Sequence, residues 1–153
     1  MMTGAVMVFA GCRGGSAVPF RDAGLGVPEL RAMLADPDPE VQARGAFGLS
    51  LHGRAAAEAV PELVRVLKSP APLARQNAAL ALAAVGPEAR AAVPTLTELL
   101  ADPEWAVRRQ AALALGAVGP DAKPALPALK KLESDPHGAV RTAAREARRS
   151  LGG

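Results

Sequence analysis

Apolar residues recur at helical spacing in two kinds of segment. A short segment places its apolar side chains three or four positions apart, at Val60, Leu63, Val66 and Leu67. A longer segment follows it and keeps one apolar face, formed by Ala74, Ala78, Ala81, Leu82 and Val85. Both patterns have a period near 3.6 residues, which is typical of amphipathic helices. The sequence therefore predicts a short helix A followed by a longer helix B.

The same pair of patterns recurs every 33 residues without an insertion. Four dipeptides mark the starts, Val27-Pro28, Val60-Pro61, Val93-Pro94 and Leu126-Pro127, and four glycines mark the ends, Gly53, Gly86, Gly119 and Gly152. A fixed period of this length is typical of repeat proteins. We predict an all-α solenoid of about four helical hairpins over residues 27–153, with units at 27–59, 60–92, 93–125 and 126–153. Residues 1–26 form a separate N-terminal segment.

The punctuation between the helices has a physical interpretation. An Asp or Ser precedes a proline in each unit, at Asp36, Ser69, Asp102 and Asp135. We expect this side chain to cap helix B, because its oxygen can accept from free first-turn amides. The closing glycine is expected to stop helix B. Small residues in one helix B column should let helices approach closely, at Gly45, Ala78, Ala111 and Ala144.

The run from Asp102 to Gly116, DPEWAVRRQAALALG, resembles a HEAT repeat of the short, phycobilisome-lyase-like kind. The ankyrin Thr-Pro-Leu-His signature and the tetratricopeptide aromatic pattern, which belong to repeats of similar length, are missing. The resemblance implies an α-solenoid with a ladder of Arg–Asp pairs between adjacent units. Arg75, Arg108 and Arg141 share the arginine column. Because Gln42 and Ser69 interrupt the two columns, we expect the ladder to be partial.

Composition supports this fold and separates the two ends. Hydrophobic residues make up 50% of the 153 residues and aromatic residues only 3%, which suits closely packed helices better than a sheet. The net charge is +3, but the first unit holds three basic and five acidic residues, whereas residues 126–153 hold six and three. Arg145, Arg148 and Arg149 stand where the second unit holds Ala79, Leu82 and Ala83, which is typical of a polar terminal cap. Nucleic-acid binding at this basic end is the alternative interpretation.

Catalysis receives no support from the sequence. His52 falls in the same column as Val85 and Val118, so we expect a structural role. His137 lies beside Asp135 without the further ligands that a metal site needs. The enzymes that such a resemblance suggests, HEAT-like DNA glycosylases and phycobilin lyases, provide no residue that maps onto this chain. We therefore predict a protein that is not an enzyme and has no cofactor or bound metal.

The N-terminal segment has two interpretations. The run Ala5–Cys12 resembles the end of a bacterial lipoprotein signal, in which the thiol of Cys12 would accept a lipid. It lacks a basic start and its apolar stretch is short. The alternative is a degenerate preceding repeat, because residues 20–26 align with residues 86–92. The first interpretation predicts a cell-envelope lipoprotein whose membrane contact is only this anchor, and the second leaves a cytoplasmic protein.

A candidate binding surface remains after the core positions are assigned. Phe47, Leu80 and Leu113 share one column of helix B and lie far from the centre of its apolar arc. One turn earlier stand three polar residues, Arg44, Asn77 and Gln110. The resemblance implies that B helices line a concave side, so these columns predict an apolar stripe with a polar border for a peptide or helix. The alternative is packing between repeats.

Trp105, predicted to lie in the loop before helix B, is a candidate contact anchor. The predicted function is a non-catalytic protein-interaction or scaffolding module with another protein as partner. Nucleic acid is not favoured as a ligand. Two alternatives stay open: a nucleic-acid-binding solenoid, and an accessory or lyase-like subunit of an enzyme.

Overall fold

A computed structural model describes residues 24–153. Its eight α-helices alternate between short and long, in the order α1 (Val27–Met33), α2 (Pro39–His52), α3 (Val60–Val66), α4 (Pro72–Val85), α5 (Val93–Glu98), α6 (Trp105–Val118), α7 (Leu126–Leu132) and α8 (Gly138–Ser150). Residues 24–153 contain no strand. The predicted all-α solenoid of helical hairpins is confirmed. Cys12 lies outside the described residues. Both interpretations of the N-terminal segment therefore stay predictions.

The core runs continuously between the short and the long helices. Each short helix contributes one fully buried leucine from the same column, and these are Leu30, Leu63, Leu96 and Leu129. Facing them, α2, α4 and α6 contribute Leu49, Leu82 and Leu115, which are also fully buried. Complete burial of a leucine side chain stabilises a fold by roughly 1.5–3 kcal/mol. Since the same columns are filled in successive hairpins, each hairpin extends the core of the one before.

Glycines end α2, α4 and α6 as the sequence predicts, whereas the C-cap of α8 is Leu151. Gly86 has φ 77° and ψ −133°, a backbone conformation that is essentially restricted to glycine. Gly53 and Gly119 also have positive φ at the equivalent positions. Each glycine leads into a 3-10 helix that connects to the next hairpin, at Gly53–Ala59, Gly86–Ala92 and Pro120–Ala125. We did not predict these connecting helices, although their buried alanines recur at the 33-residue step, at Ala56, Ala89 and Ala122.

The prediction that the loop Asp or Ser caps the long helix is wrong, because the N-cap lies two residues later. Oδ1 of Asp102 accepts from the backbone N–H of Glu104 at 2.9 Å, and Glu104 is itself the N-cap of α6. The carboxylate therefore closes a turn within the loop, because helix α6 begins three residues later. In the first hairpin a different residue, Asp38, caps α2 by accepting from the N–H of Glu40 at 2.9 Å.

Two further features concern the first hairpin and the membrane. Nε2 of His52 lies 3.0 Å from the carbonyl oxygen of Leu25, so His52 ties the end of α2 to the chain before α1. This contact supports the structural role expected for His52. None of the helices within residues 24–153 has the length and apolar character needed to span a bilayer.

The unit boundaries predict how the fold responds to deletion. Removing residues 60–92 joins Ala59 to Val93, which recreates the natural junction between a 3-10 helix and a short helix. We expect the shortened protein to remain helical and to unfold cooperatively, since about three units suffice for a stable stack. Removing only residues 60–75 joins parts that do not match and should abolish the cooperative transition. Thermal melts monitored by circular dichroism compare the two deletions. A cooperative transition in the shorter deletion but not in the longer one would contradict the repeat assignment.

Candidate interaction surface

The long helices form one continuous layer. Helices α2, α4, α6 and α8 pack against one another in chain order. Small side chains fill the contacts between them, including the fully buried Ala46, Ala79 and Ala112. A Cβ added to Gly116 would lie 3.1 Å from Cα of Ala147, which shows how closely the backbones of α6 and α8 approach. The outward columns of these four helices therefore make a single surface, here called the B-helix face.

The predicted apolar stripe lies on this face in a half-buried position. Phe47, Leu80 and Leu113 are each partly exposed, on α2, α4 and α6. Leu113 also packs against the core. In α8 the column continues as the exposed Glu146. Leu113 and Glu146 together line two shallow depressions of about 210 Å³ and 240 Å³. The stripe thus serves packing between helices and still presents apolar area to solvent.

The most exposed large apolar side chains of the described chain also lie on the long helices. Leu51 is 60% exposed, Leu73 57% and Trp105 40%. We did not predict Leu51 or Leu73 as candidates, because each is an isolated leucine in a column that otherwise holds Ala, Ser or Glu. A repeat comparison emphasises shared columns and hides such single positions. Their exposure enlarges the apolar part of the B-helix face.

Trp105 is positioned differently from the prediction. It is the first residue of α6 and does not lie in the loop. Its ring stacks on the ring of His137, with centroids 5.1 Å apart and planes inclined by 16°. The two residues are brought together because the N-terminal ends of α6 and α8 lie side by side. Trp105 therefore packs locally on one side of its ring and remains 40% exposed in total.

The predicted polar border is only partly open. Arg44 is exposed on α2. Nδ2 of Asn77 donates to the carbonyl oxygen of Ala43 at 2.9 Å, so this amide holds α4 against α2. Gln110, in the same column on α6, is only 6% exposed. This column faces the preceding long helix, and Gln110 accordingly offers little surface to a partner.

A ladder of ion pairs runs along the loops that join short to long helices. Arg75 donates through Nε and Nη2 to both oxygens of Asp102, at 2.8 and 2.9 Å. Arg108 binds Asp135 in the same way, at 2.8 and 3.1 Å. In the first hairpin Gln42 replaces the arginine and donates to the carbonyl oxygen of Asp36 at 2.8 Å. These contacts agree with the partial ladder expected from the sequence.

The charge of Asp135 is stabilised by these donors. The Arg108 guanidinium, by hydrogen bonding to the carboxylate, lowers the pKa of Asp135 below its ordinary value, against the opposing effect of burial. The backbone N–H of His137 donates to Oδ1 at 2.9 Å and acts in the same direction. The side chains of Asp135 and Arg108 are 8% and 14% exposed, so solvent screens this pair little.

The chemical groups on the B-helix face are suited to contact. Both histidines of the chain have partners: the carbonyl of Leu25 for His52 and the ring of Trp105 for His137. Within residues 24–153, His, Cys, Asp and Glu side chains nowhere gather in a group of three or more that would suit a metal ion. The arrangement thus combines apolar side chains, one exposed aromatic ring and separated charges.

Comparisons with known proteins agree with this architecture. A family model described as HEAT repeats matches residues 27–92 and 88–149. The crystal structure of an engineered protein is similar with a TM-score of 0.73 at 28% identity, over 82% of this chain and 62% of that one. No curated protein sequence matches the chain.

Two further structures share the fold. A designed armadillo repeat protein in complex with the peptide (KR)4 has a TM-score of 0.72 at 21% identity, over 82% of this chain and 64% of that one. The complex of CpcE and CpcF of phycocyanin lyase from Nostoc sp. PCC7120 has a TM-score of 0.67 at 25% identity, over 80% and 79%. The chain spans less than two thirds of the engineered and armadillo proteins.

The half-buried stripe makes a prediction about stability. In Leu80→Glu the carboxylate can turn toward solvent, so we expect the free energy of unfolding to fall by about 1–2 kcal/mol. Leu82→Glu is the matched control, because Leu82 is fully buried on the same helix. An unpaired charge there should cost about 4 kcal/mol or more. Urea denaturation measures both changes, and equal losses would show that the stripe is core.

The Arg108–Asp135 pair makes a prediction about pH. Because the folded pKa of Asp135 is lowered, its contribution is complete above the unfolded value of about 3.9 and disappears as pH falls through the folded value. Asp135→Asn should therefore lower the free energy of unfolding by about 1–3 kcal/mol at neutral pH and by much less in strong acid. Asp121→Asn, at an exposed position, is the control. Denaturation at a series of pH values measures the free energy of unfolding of both variants. A loss in Asp135→Asn that does not change with pH would contradict the role of the ion pair.

Proposed function

We propose that this chain, which belongs to the HEAT-repeat family, is a non-catalytic interaction or scaffolding module that binds a peptide or helix of another protein on its B-helix face. The observation that carries the proposal is the concentration of exposed apolar area on this face. Leu51, Leu73 and Trp105 are its exposed members. Phe47, Leu80 and Leu113 form the half-buried stripe.

Exposed apolar side chains on a rigid layer are typical of protein interfaces. Isolated surface leucines are common, but apolar patches that extend over neighbouring elements favour association. The stripe crosses three helices that are held in place by the core, so binding would require little ordering of the backbone. Arg44 and Arg109 provide exposed polar contacts on the same face. An amphipathic helix or an extended peptide with apolar anchors is the partner that fits this chemistry.

The exposed charges beside the stripe have both signs. Glu40 and Glu146 are acidic and Arg44 and Arg109 are basic, while Arg145 and Arg149 lie on α8 at the end of the layer. A phosphate backbone is bound mainly by an excess of positive charge, and beside the stripe the two carboxylates offset the two arginines. The mixed charges suit a polar rim around apolar contacts.

A second candidate function is that of an accessory subunit in an enzyme complex. Its support is the similarity to the CpcE–CpcF complex, which extends over 79% of the matched chain. The matched structure is named as a complex of two components, CpcE and CpcF, of a lyase. The feature shared with this chain is the helical-repeat fold. Both candidate functions require a protein partner.

Site-specific photocrosslinking tests the proposed function. A photoreactive phenylalanine analogue replaces Leu73 on the B-helix face, and in a matched variant it replaces the exposed Arg65 on α3. In extracts of the native cell we expect a discrete crosslinked partner at position 73 and none at position 65. Adding Leu80→Glu should remove the crosslink, since a charge in the stripe opposes apolar contact. Crosslinks that are equal at both positions, or insensitive to Leu80→Glu, would place the function on another surface.

A further inference from the structure

Arg141 holds the same local position as the two arginines of the ladder. Its Nη1 donates to the carbonyl oxygens of Asp135 and Pro136, at 2.8 and 3.0 Å. Nη1 of Arg108 donates in the same way to Asp102 and Pro103, at 2.8 and 3.1 Å. These bonds fix one edge of the guanidinium on its own loop. The other edge, formed by Nε and Nη2, is left to face outward.

The outward edge of Arg141 differs from its two equivalents in having no acceptor within residues 24–153. In Arg75 and Arg108 this edge binds both oxygens of one aspartate carboxylate. The two filled sites show which group the edge fits: a carboxylate approached by two parallel N–H donors. Arg141 therefore carries a preorganised carboxylate site of the same design.

The surroundings of Arg141 are basic and are unsuited to another repeat of the same kind. Arg145 is exposed in the column where Ala46, Ala79 and Ala112 are fully buried between helices. Arg149 is exposed as well. Arg148 forms an ion pair with Glu133, so its charge is already partnered. Covering this face with an apolar helix would bury charged arginines, whereas an acidic partner would pair with them.

We propose that the outward edge of Arg141 binds an Asp or Glu carboxylate of an acidic polypeptide segment, with Arg145 and Arg149 contributing to its attraction. This surface is separate from the B-helix stripe and goes beyond the proposed function. Charge complementarity selects the partner, and the bidentate geometry selects a carboxylate within it.

A second copy of the chain fits this face poorly. Asp36 is arranged like Asp102, since its Oδ1 accepts from the N–H of Asp38 at 2.8 Å, so it is the carboxylate that a second copy would present to Arg141. Such stacking would place α2 of one copy against α8 of another. Arg44 stands in the column through which Asn77 contacts the preceding long helix, and Arg145 stands in the column of the buried Ala46, so both arginines would lie at this contact. Like charges at this contact oppose self-association.

The first hairpin supplies a substitution that tests the site without disturbing the loop. Gln42 naturally occupies the arginine column and keeps the bond to its own loop carbonyl at 2.8 Å. Arg141→Gln should therefore fold like the parent and keep the bond to the carbonyl of Asp135, while it loses the bond to the carbonyl of Pro136 and the outward donor pair. Arg149→Gln is the matched control, because it removes the same charge from the same helix outside the ladder column.

The probe is an acetylated peptide that alternates aspartate and alanine, with a matched peptide that alternates asparagine and alanine. In fluorescence anisotropy at low salt, Arg141→Gln should weaken binding of the aspartate peptide about tenfold. Arg149→Gln should weaken it no more than about twofold. The asparagine peptide should not bind. In the parent protein, the Nε–Hε resonance of Arg141 should shift as the aspartate peptide is added.

Four results would overturn the proposal. Equal losses of affinity for the aspartate peptide in Arg141→Gln and Arg149→Gln would show that binding is only general charge attraction. A DNA duplex that binds more tightly than the aspartate peptide at the same ionic strength, and that loses this binding in Arg141→Gln, would make the site a phosphate site. Sedimentation showing self-association that Arg141→Gln removes would assign the site to a second copy. An unshifted Arg141 resonance at saturating peptide would exclude the site even if the variant failed to fold.

Discussion

The close packing of successive long helices is the constraint on which the other features depend. Ala46, Ala79 and Ala112 are fully buried between neighbours, and Gly116 lets the backbone of α8 approach α6. A larger residue in these columns would force the helices apart, and overpacking of this kind typically costs about 1–3 kcal/mol. Because the spacing is kept at each step, side chains 33 residues apart fall into straight columns. A stripe across several helices is possible only in such an arrangement.

The ion-pair ladder depends on the same step. Each arginine lies near the start of a long helix and reaches an aspartate 27 residues later, in the loop before the next long helix. Asp102 and Asp135 also close their own loops by accepting from backbone N–H groups. Each carboxylate thus closes its own loop and also binds the arginine of the preceding repeat. The predicted helix cap is not formed because this side chain lies two residues before the N-cap and accepts from the N–H of the N-cap residue itself.

Shared columns made most of the fold predictable from the sequence. The helix pairs, the positive-φ glycines and the interrupted ladder follow from residues that recur in several units, such as Gly86 and Arg108. Features specific to one unit were missed or misplaced. Leu51 and Leu73 have no apolar equivalents, and the stacking of Trp105 on His137 joins different columns of successive units. The burial of Gln110 depends on distances between helices, which a periodic pattern does not contain.

This division also indicates where function resides in a repeat protein. Residues that recur in every unit, such as the core leucines, are required by the stack and cannot distinguish one member of the family from another. In the proposed functions specificity comes from departures, which have two locations in this chain. Leu73 and Trp105 add apolar area to the B-helix face. Arg145 replaces a buried alanine on α8, beside the outward edge of Arg141. Since one departure favours apolar contact and the other carboxylate contact, a partner that uses both must combine an apolar helix face with an acidic segment.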